Sequence, residues 1–110
     1  MGLAKTNVID AAGIEQHTST VVLTIVDEMD WSDPDAHLRA LQDKINTYVA
    51  FIESGQMAQL YPDTAWSKVA IDIYPLHEYD SRIREILQKA AMALADRDVQ
   101  LRIRSRSGGV

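Results

Sequence analysis

Val21-Val22-Leu23-Thr24-Ile25-Val26-Asp27 decides the fold: Val21, Leu23 and Ile25 fall on one side of an extended chain, and Val22, Thr24 and Val26 on the other. Alternation with a period of two describes a strand buried on a single face. Two further segments repeat it, with Val69, Ile71 and Ile73 in residues 68–74 and Val99, Leu101 and Ile103 in residues 99–104. A weaker strand is predicted over residues 7–15, where Val8, Ile9 and Ile14 are interrupted by Gly13. It reads as an edge strand, kinked or bulged at the glycine. The polar residues 16–20 suit a hairpin turn, so the first two strands should pair antiparallel.

Between these strands the period changes to that of a helix. Ser32-Asp33-Pro34 announces the first one, because a side-chain oxygen can cap free backbone N–H groups and proline at the first helical position loses no intrahelical bond. Asp35 then complements the helix dipole. Leu38, Leu41, Ile45, Tyr48 and Ile52 form an apolar stripe that stops before Ser54-Gly55. Residues 56–67 read as a connection whose Leu60 and Trp66 fold onto the core. Asp80 is the predicted cap of the second helix, in which Ile83, Ile86, Leu87, Ala90 and Leu94 share a face. Arg97-Asp98 makes the turn into the last strand. Right-handed crossovers that keep both helices on one face step across the sheet in one direction, giving the spatial order 1-2-3-4. The predicted fold is therefore α+β: a two-layer sandwich of a four-stranded mixed sheet, in the order β-β-α-β-α-β, with two helices on one face.

A chain of 110 residues, 46% of them hydrophobic, suits one domain with one core, and residues 1–6 and 105–110 are expected to fray. The absence of cysteine excludes disulfides, thiolate metal sites and cysteine nucleophiles. A net charge of −5 argues against general nucleic-acid binding, which relies on a cationic surface. No apolar run has the length of a signal peptide or a membrane span, so a cytoplasmic protein is expected, with no membrane partner.

The acidic stretch of residues 27–35 invites a calcium or magnesium reading, but it lacks the glycine turn and terminal glutamate of an EF-hand loop. Asp33 and His37 stand four apart, the spacing of a surface pair on a helix; His17 and His77 read as loop histidines. Gly55 stands alone and Gly108-Gly109 lies in the tail, so no phosphate loop is present. Trp31, Tyr61 and Trp66 could gather into an aromatic pocket or simply plug the margin of a small core. No cofactor or catalytic set is assigned.

The sheet face turned away from the helices is more informative. It should carry Val22, Thr24 and Val26, then Ala70, Asp72 and Tyr74, then Gln100, Arg102 and Arg104, with Asp72 pairing across strands with Arg102 or Arg104. A mixed face with tyrosine and arginine has the composition of a protein interface. The expected role is a non-enzymatic protein–protein interaction module that uses this face, with Thr24, Asp72, Tyr74, Arg102 and Arg104 as its surface, or the first helix, and the expected partner is another protein or a second copy in a homodimer. The alternative is a small-ligand or divalent-metal-dependent enzyme built on residues 27–35, His37 and the loop aromatics.

Val8-Ile9-Asp10, Val22-Leu23-Thr24-Ile25 leading to Asp30-Trp31, Leu41-Gln42-Asp43-Lys44-Ile45-Asn46-Thr47-Tyr48 and Phe51-Ile52-Glu53-Ser54-Gly55-Gln56 resemble a family of small bacterial proteins of about 100 residues with no assigned function. The likeness continues through Tyr61-Pro62 to the last strand. It implies a compact bacterial cytoplasmic protein and brings no catalytic residue or cofactor with it.

Overall fold

The computed structural model describes residues 2–3, 5–6, 8–15, 17–60 and 68–104, apart from the side chains of Ala58 and Leu60. The elements run β1 (Ala11–Glu15), β2 (Thr20–Asp27), α1 (Pro34–Glu53), α2 (Gln56–Leu60), β3 (Lys68–Pro75), α3 (Ser81–Ala95) and β4 (Val99–Ile103). The sheet order is β1-β2-β3-β4, with β1 antiparallel to β2 and both remaining pairs parallel. An α+β fold with its two long helices covering one sheet face is thus the observed architecture.

The alternation sets the core. Val21, Leu23 and Ile25, with Ile71 and Ile73, are fully buried beneath Leu41, Ile45 and Tyr48 of α1 and Ile83, Leu87 and Leu94 of α3. Asp33 caps α1 by accepting the Ala36 N–H, and Asp80 caps α3 by accepting the Ile83 N–H. Asp98 at φ 61° supplies the left-handed turn into β4 that glycine more often provides. Among the described residues no helix is long and apolar enough to cross a membrane.

The structure departs from the sequence reading at its weakest element. The first strand begins at Ala11, not at residue 7, and its register opposite β2 passes through Gly13↔Val22 with no bulge. Asp10 explains the late start: its carboxylate accepts the Val26 N–H at 2.9 Å, just beyond the β1–β2 ladder. Within residues 1–6, Leu3 is buried, and the Lys44 ammonium donates to the carbonyls of Gly2 at 3.0 Å and Lys5 at 2.8 Å.

The predicted connection after α1 opens with a helix. Five residues, Gln56–Leu60, are too few to show a helical period, yet they bury Met57 against the core. Tyr61 and Trp66 lie outside the described residues, as do the Leu60 side chain and residues 105–110. Gly55, at φ 86°, turns the chain from α1 into α2. A Cβ there would meet nothing within 4 Å, so Gly55→Ala is penalised through the backbone alone. A loss of about 1–2 kcal/mol in urea unfolding is expected; an unchanged midpoint and slope would contradict it.

Candidate functional site

The sheet face away from the helices carries an ion network. Register places Asp72 of β3 opposite Arg102 of β4, so the two side chains emerge on the same face. Arg102 donates from Nε to Asp72 Oδ1 at 2.5 Å and from Nη2 to Oδ2 at 3.0 Å, a two-point grip that a lysine could not make. Arg104 Nε adds a contact to Asp72 Oδ2 at 3.3 Å, and Arg102 Nη2 reaches Glu15 of β1 at 3.1 Å. Glu15 escaped the sequence reading. Nothing local marks it, and its contact with a β4 arginine spans the two strands between β1 and β4.

The electrostatics follow from these contacts. The Asp72 carboxylate holds the Arg102 guanidinium above its ordinary pKa, and the hydrogen bonds from Thr18 and then Arg102 hold Glu15 below its own. Asp72 is 2% exposed although it sits on the face without helices. Two acids and two arginines satisfy one another there, leaving little net charge on the face. Thr24 lies opposite Asp72 in register, half-buried, and its carbonyl accepts the Tyr48 hydroxyl from beneath the sheet. Tyr74, at the end of β3, remains 43% exposed. The structure thus brings Asp72, Arg102 and Arg104 into one cluster, with Thr24 and Tyr74 at its margin.

A second cluster forms at the carboxyl ends of β2 and β3, the end of parallel strands where ligand sites usually lie in open α/β sheets. Asp27 closes β2 and is buried with His37 of α1 and with Tyr79, which precedes α3. His37 Nε2 lies 2.6 Å from Asp27 Oδ2, its Nδ1 lies 2.9 Å from the Asp30 carbonyl, and the Tyr79 hydroxyl donates to Asp27. Trp31 stacks on the imidazole at 3.7 Å between centroids and donates Nε1–H to the Glu78 carbonyl. Burial, reinforced by the bond to Asp27, pushes the Tyr79 hydroxyl well above the usual tyrosine range.

This arrangement corrects the expected Asp33–His37 pair. The Asp33 carboxylate is committed to capping α1, and the His37 ring turns inward, away from the helix surface. The other acids of residues 27–35 also hold local structure: Asp30 accepts from Ser32, whose hydroxyl and backbone N–H hold it below its normal pKa, and Glu28 accepts the Leu3 N–H. Among the described residues no three histidines or acids stand together so as to hold a metal ion. His17 and His77 are exposed. The buried histidine was nonetheless legible, since His37, Leu41, Lys44 and Tyr48 follow the three-and-four spacing of a single helix face.

The chemistry available at Asp27–His37–Tyr79 is limited by its own completeness. Both imidazole nitrogens face acceptors within the protein, and both carboxylate oxygens already accept bonds. Each of these polar atoms therefore already has a partner inside the protein.

Among the described residues, the outer edge of β4 presents the opposite condition. β4 ends the sheet order, and the Arg104 N–H bonds the Ile73 carbonyl inward. Backbone groups of a strand alternate between its two neighbours. Gln100, Arg102 and Arg104 therefore face β3, while the N–H and C=O groups of Val99, Leu101 and Ile103 face outward. Beside this edge runs a groove of about 310 Å³ lined by Arg84, Leu87, Gln88 and Ala91 of α3 with Leu101 and Ile103.

A family model described as "Family of unknown function (DUF6572)" matches residues 1–107 of the chain. No curated protein matches it. No solved structure does either.

Proposed function

The chain belongs to the DUF6572 family, a family of unknown function, and from the geometry we propose that it is a non-enzymatic protein–protein interaction module that takes up an extended segment along β4. The outward row of N–H and C=O groups on β4 carries this reading, because an unpaired strand edge is a template for a further strand. Leu101 and Ile103, half-buried beside α3, offer apolar contact to the added strand on one face. Arg102, Arg104, Asp72, Thr24 and Tyr74 form the adjoining part of the surface on the other face.

The internal completeness of Asp27–His37–Tyr79 supports a binding role over a catalytic one. The Glu15–Arg102–Asp72–Arg104 network supports the edge over the middle of the sheet, since its charges already pair with one another and leave little for a partner on the face to pair with.

Amide exchange of isotope-labelled protein tests the proposal. In a concentrated extract of the cells that make it, the Val99, Leu101 and Ile103 amides should be protected, as the inward amides of Gln100, Arg102 and Arg104 are. Ile103→Pro, which deletes an outward donor only, should abolish the outward protection. Freely exchanging outward amides, or partner-induced changes centred on His37 and Tyr79 in their place, would overturn the reading.

A further inference from the structure

We propose that the segment received along β4 is β4 of a second copy, paired antiparallel about a two-fold axis through Leu101; this rests on the edge-docking reading above. Backbone parity restricts the registers first. Antiparallel partners stand opposite each other only when both point their N–H and C=O groups across the seam or both point them away. Odd residues of β4 must therefore face odd residues, and even face even.

Side chains then choose among the allowed registers. An axis through Arg102 would set that arginine against its own copy, a like-charge pair that destabilises a sheet. An axis through Gln100 would leave Ile103 opposite Arg97, outside the strand. The axis through Leu101 alone overlaps all of Val99–Ile103: Leu101 meets Leu101, and Val99 meets Ile103, all on the helix-covered face. Gln100 then meets Arg102 on the other face.

Charge along the segment agrees with this direction. Asp96 and Asp98 stand before β4, and Arg102 and Arg104 stand at its end. Antiparallel pairing about Leu101 sets each copy's Asp98 opposite the other's Arg104, the more exposed of the two arginines, whereas parallel pairing would align like charges. The same symmetry brings the two α3 helices together over the seam, where Ala91 and Ala95 permit close approach and Met92, 69% exposed, lies on the same helix. The other end of the sheet fits less well, because β1 offers only the small Ala11, Ala12 and Gly13 at its start.

Single cysteines read out the seam, since the chain has none of its own. Opposed residues in a hydrogen-bonded antiparallel pair have Cα atoms about 5.5 Å apart, within the roughly 4.4–6.8 Å of a disulfide. Mild oxidation of Leu101→Cys should link most of the protein into covalent dimers, and Gln100→Cys should link little. Light scattering on the unmodified chain should give twice its 12.3 kDa mass, falling to that of a single chain for Ile103→Pro with an unchanged circular dichroism spectrum. A single-chain mass at several hundred micromolar overturns the dimer, and stronger linkage through Gln100→Cys overturns the axis through Leu101. If the outward amides are still protected in extract, only self-pairing fails; if they too are unprotected, the edge reading fails with it.

Discussion

Lys44→Met is expected to lower the free energy of unfolding by about 3–5 kcal/mol, the cost of removing one partner of a buried ion pair. The Lys44 side chain is completely buried, and its three N–H donors reach Asp10 Oδ1 at 2.9 Å and the carbonyls of Gly2 and Lys5. Methionine fills similar space but leaves all three acceptors without that donor. Asp10 also accepts the Gly2 and Val26 N–H groups, while its own backbone N–H donates to the Tyr48 hydroxyl at 2.8 Å. The loss should therefore release the described residues before β1 and the carboxyl end of β2 together. Tyr48, pushed up to about 12 by burial, remains a neutral hydroxyl at any pH suited to the measurement.

The acid limb of the same variant gives a second reading. Burial alone would raise the Asp10 pKa, but the bond from Lys44, the Val26 and Gly2 N–H groups and the Lys44 charge outweigh it and hold the carboxyl below its ordinary value. A carboxyl depressed in the folded state contributes stability that is fully present above its unfolded pKa of about 3.9 and is lost as pH falls through the lower folded value. Without Lys44 the depression shrinks, so the variant should lose less stability on acidification from this group, having less of it to lose. Urea titrations at neutral pH and near pH 3 should therefore show the gap between the two proteins narrowing in acid. A neutral-pH cost below 1 kcal/mol, or a gap that widens in acid, would refute the role given to this pair.

Asp27→Leu should cost a similar amount, about 3–5 kcal/mol, because each buried donor left without its acceptor costs about 1–3 kcal/mol. It removes the acceptor of the His37 imidazole, the Tyr79 hydroxyl and the Met29 N–H at once, in a place closed to water. Tyr79→Phe should cost much less, on the order of 1 kcal/mol, because no buried donor is stranded by it. Combined with Asp27→Leu it should cost less than the sum, since phenylalanine has no hydroxyl left to satisfy. Strict additivity in urea unfolding would show that the hydroxyl and the carboxylate do not act as a unit.

How much of this was legible depends on how far apart in the chain the partners lie. Strand alternation and helix capping are local, and Val21 to Ile25, Asp33-Pro34 and Asp80 declare their roles within a few residues. The pairing of Asp72 with Arg102 and Arg104 also follows from reading strands side by side once their order is known. Asp27 shares the parity of Val21, Leu23 and Ile25, and Lys44 and His37 share a helix face with Leu41 and Tyr48. These signals of burial lay in the periodicity and were hidden because charged and polar residues are rarely placed in a core.

The sequence by itself determined the four strands, the two long helices, their layering and the strand order, because period, caps and crossover handedness are properties of neighbouring residues. Tertiary structure alone decided that Lys44 would hold Gly2, Lys5 and Asp10, that Tyr79 would find Asp27, and that Glu15 would close the ion network over the sheet. Those contacts join residues far apart in the chain, and their energy depends on exclusion of water, which no local pattern records. The same distinction governs β4: its alternating residues name it a strand, but only the sheet order places it at the end, with the backbone groups of Val99, Leu101 and Ile103 turned away from β3.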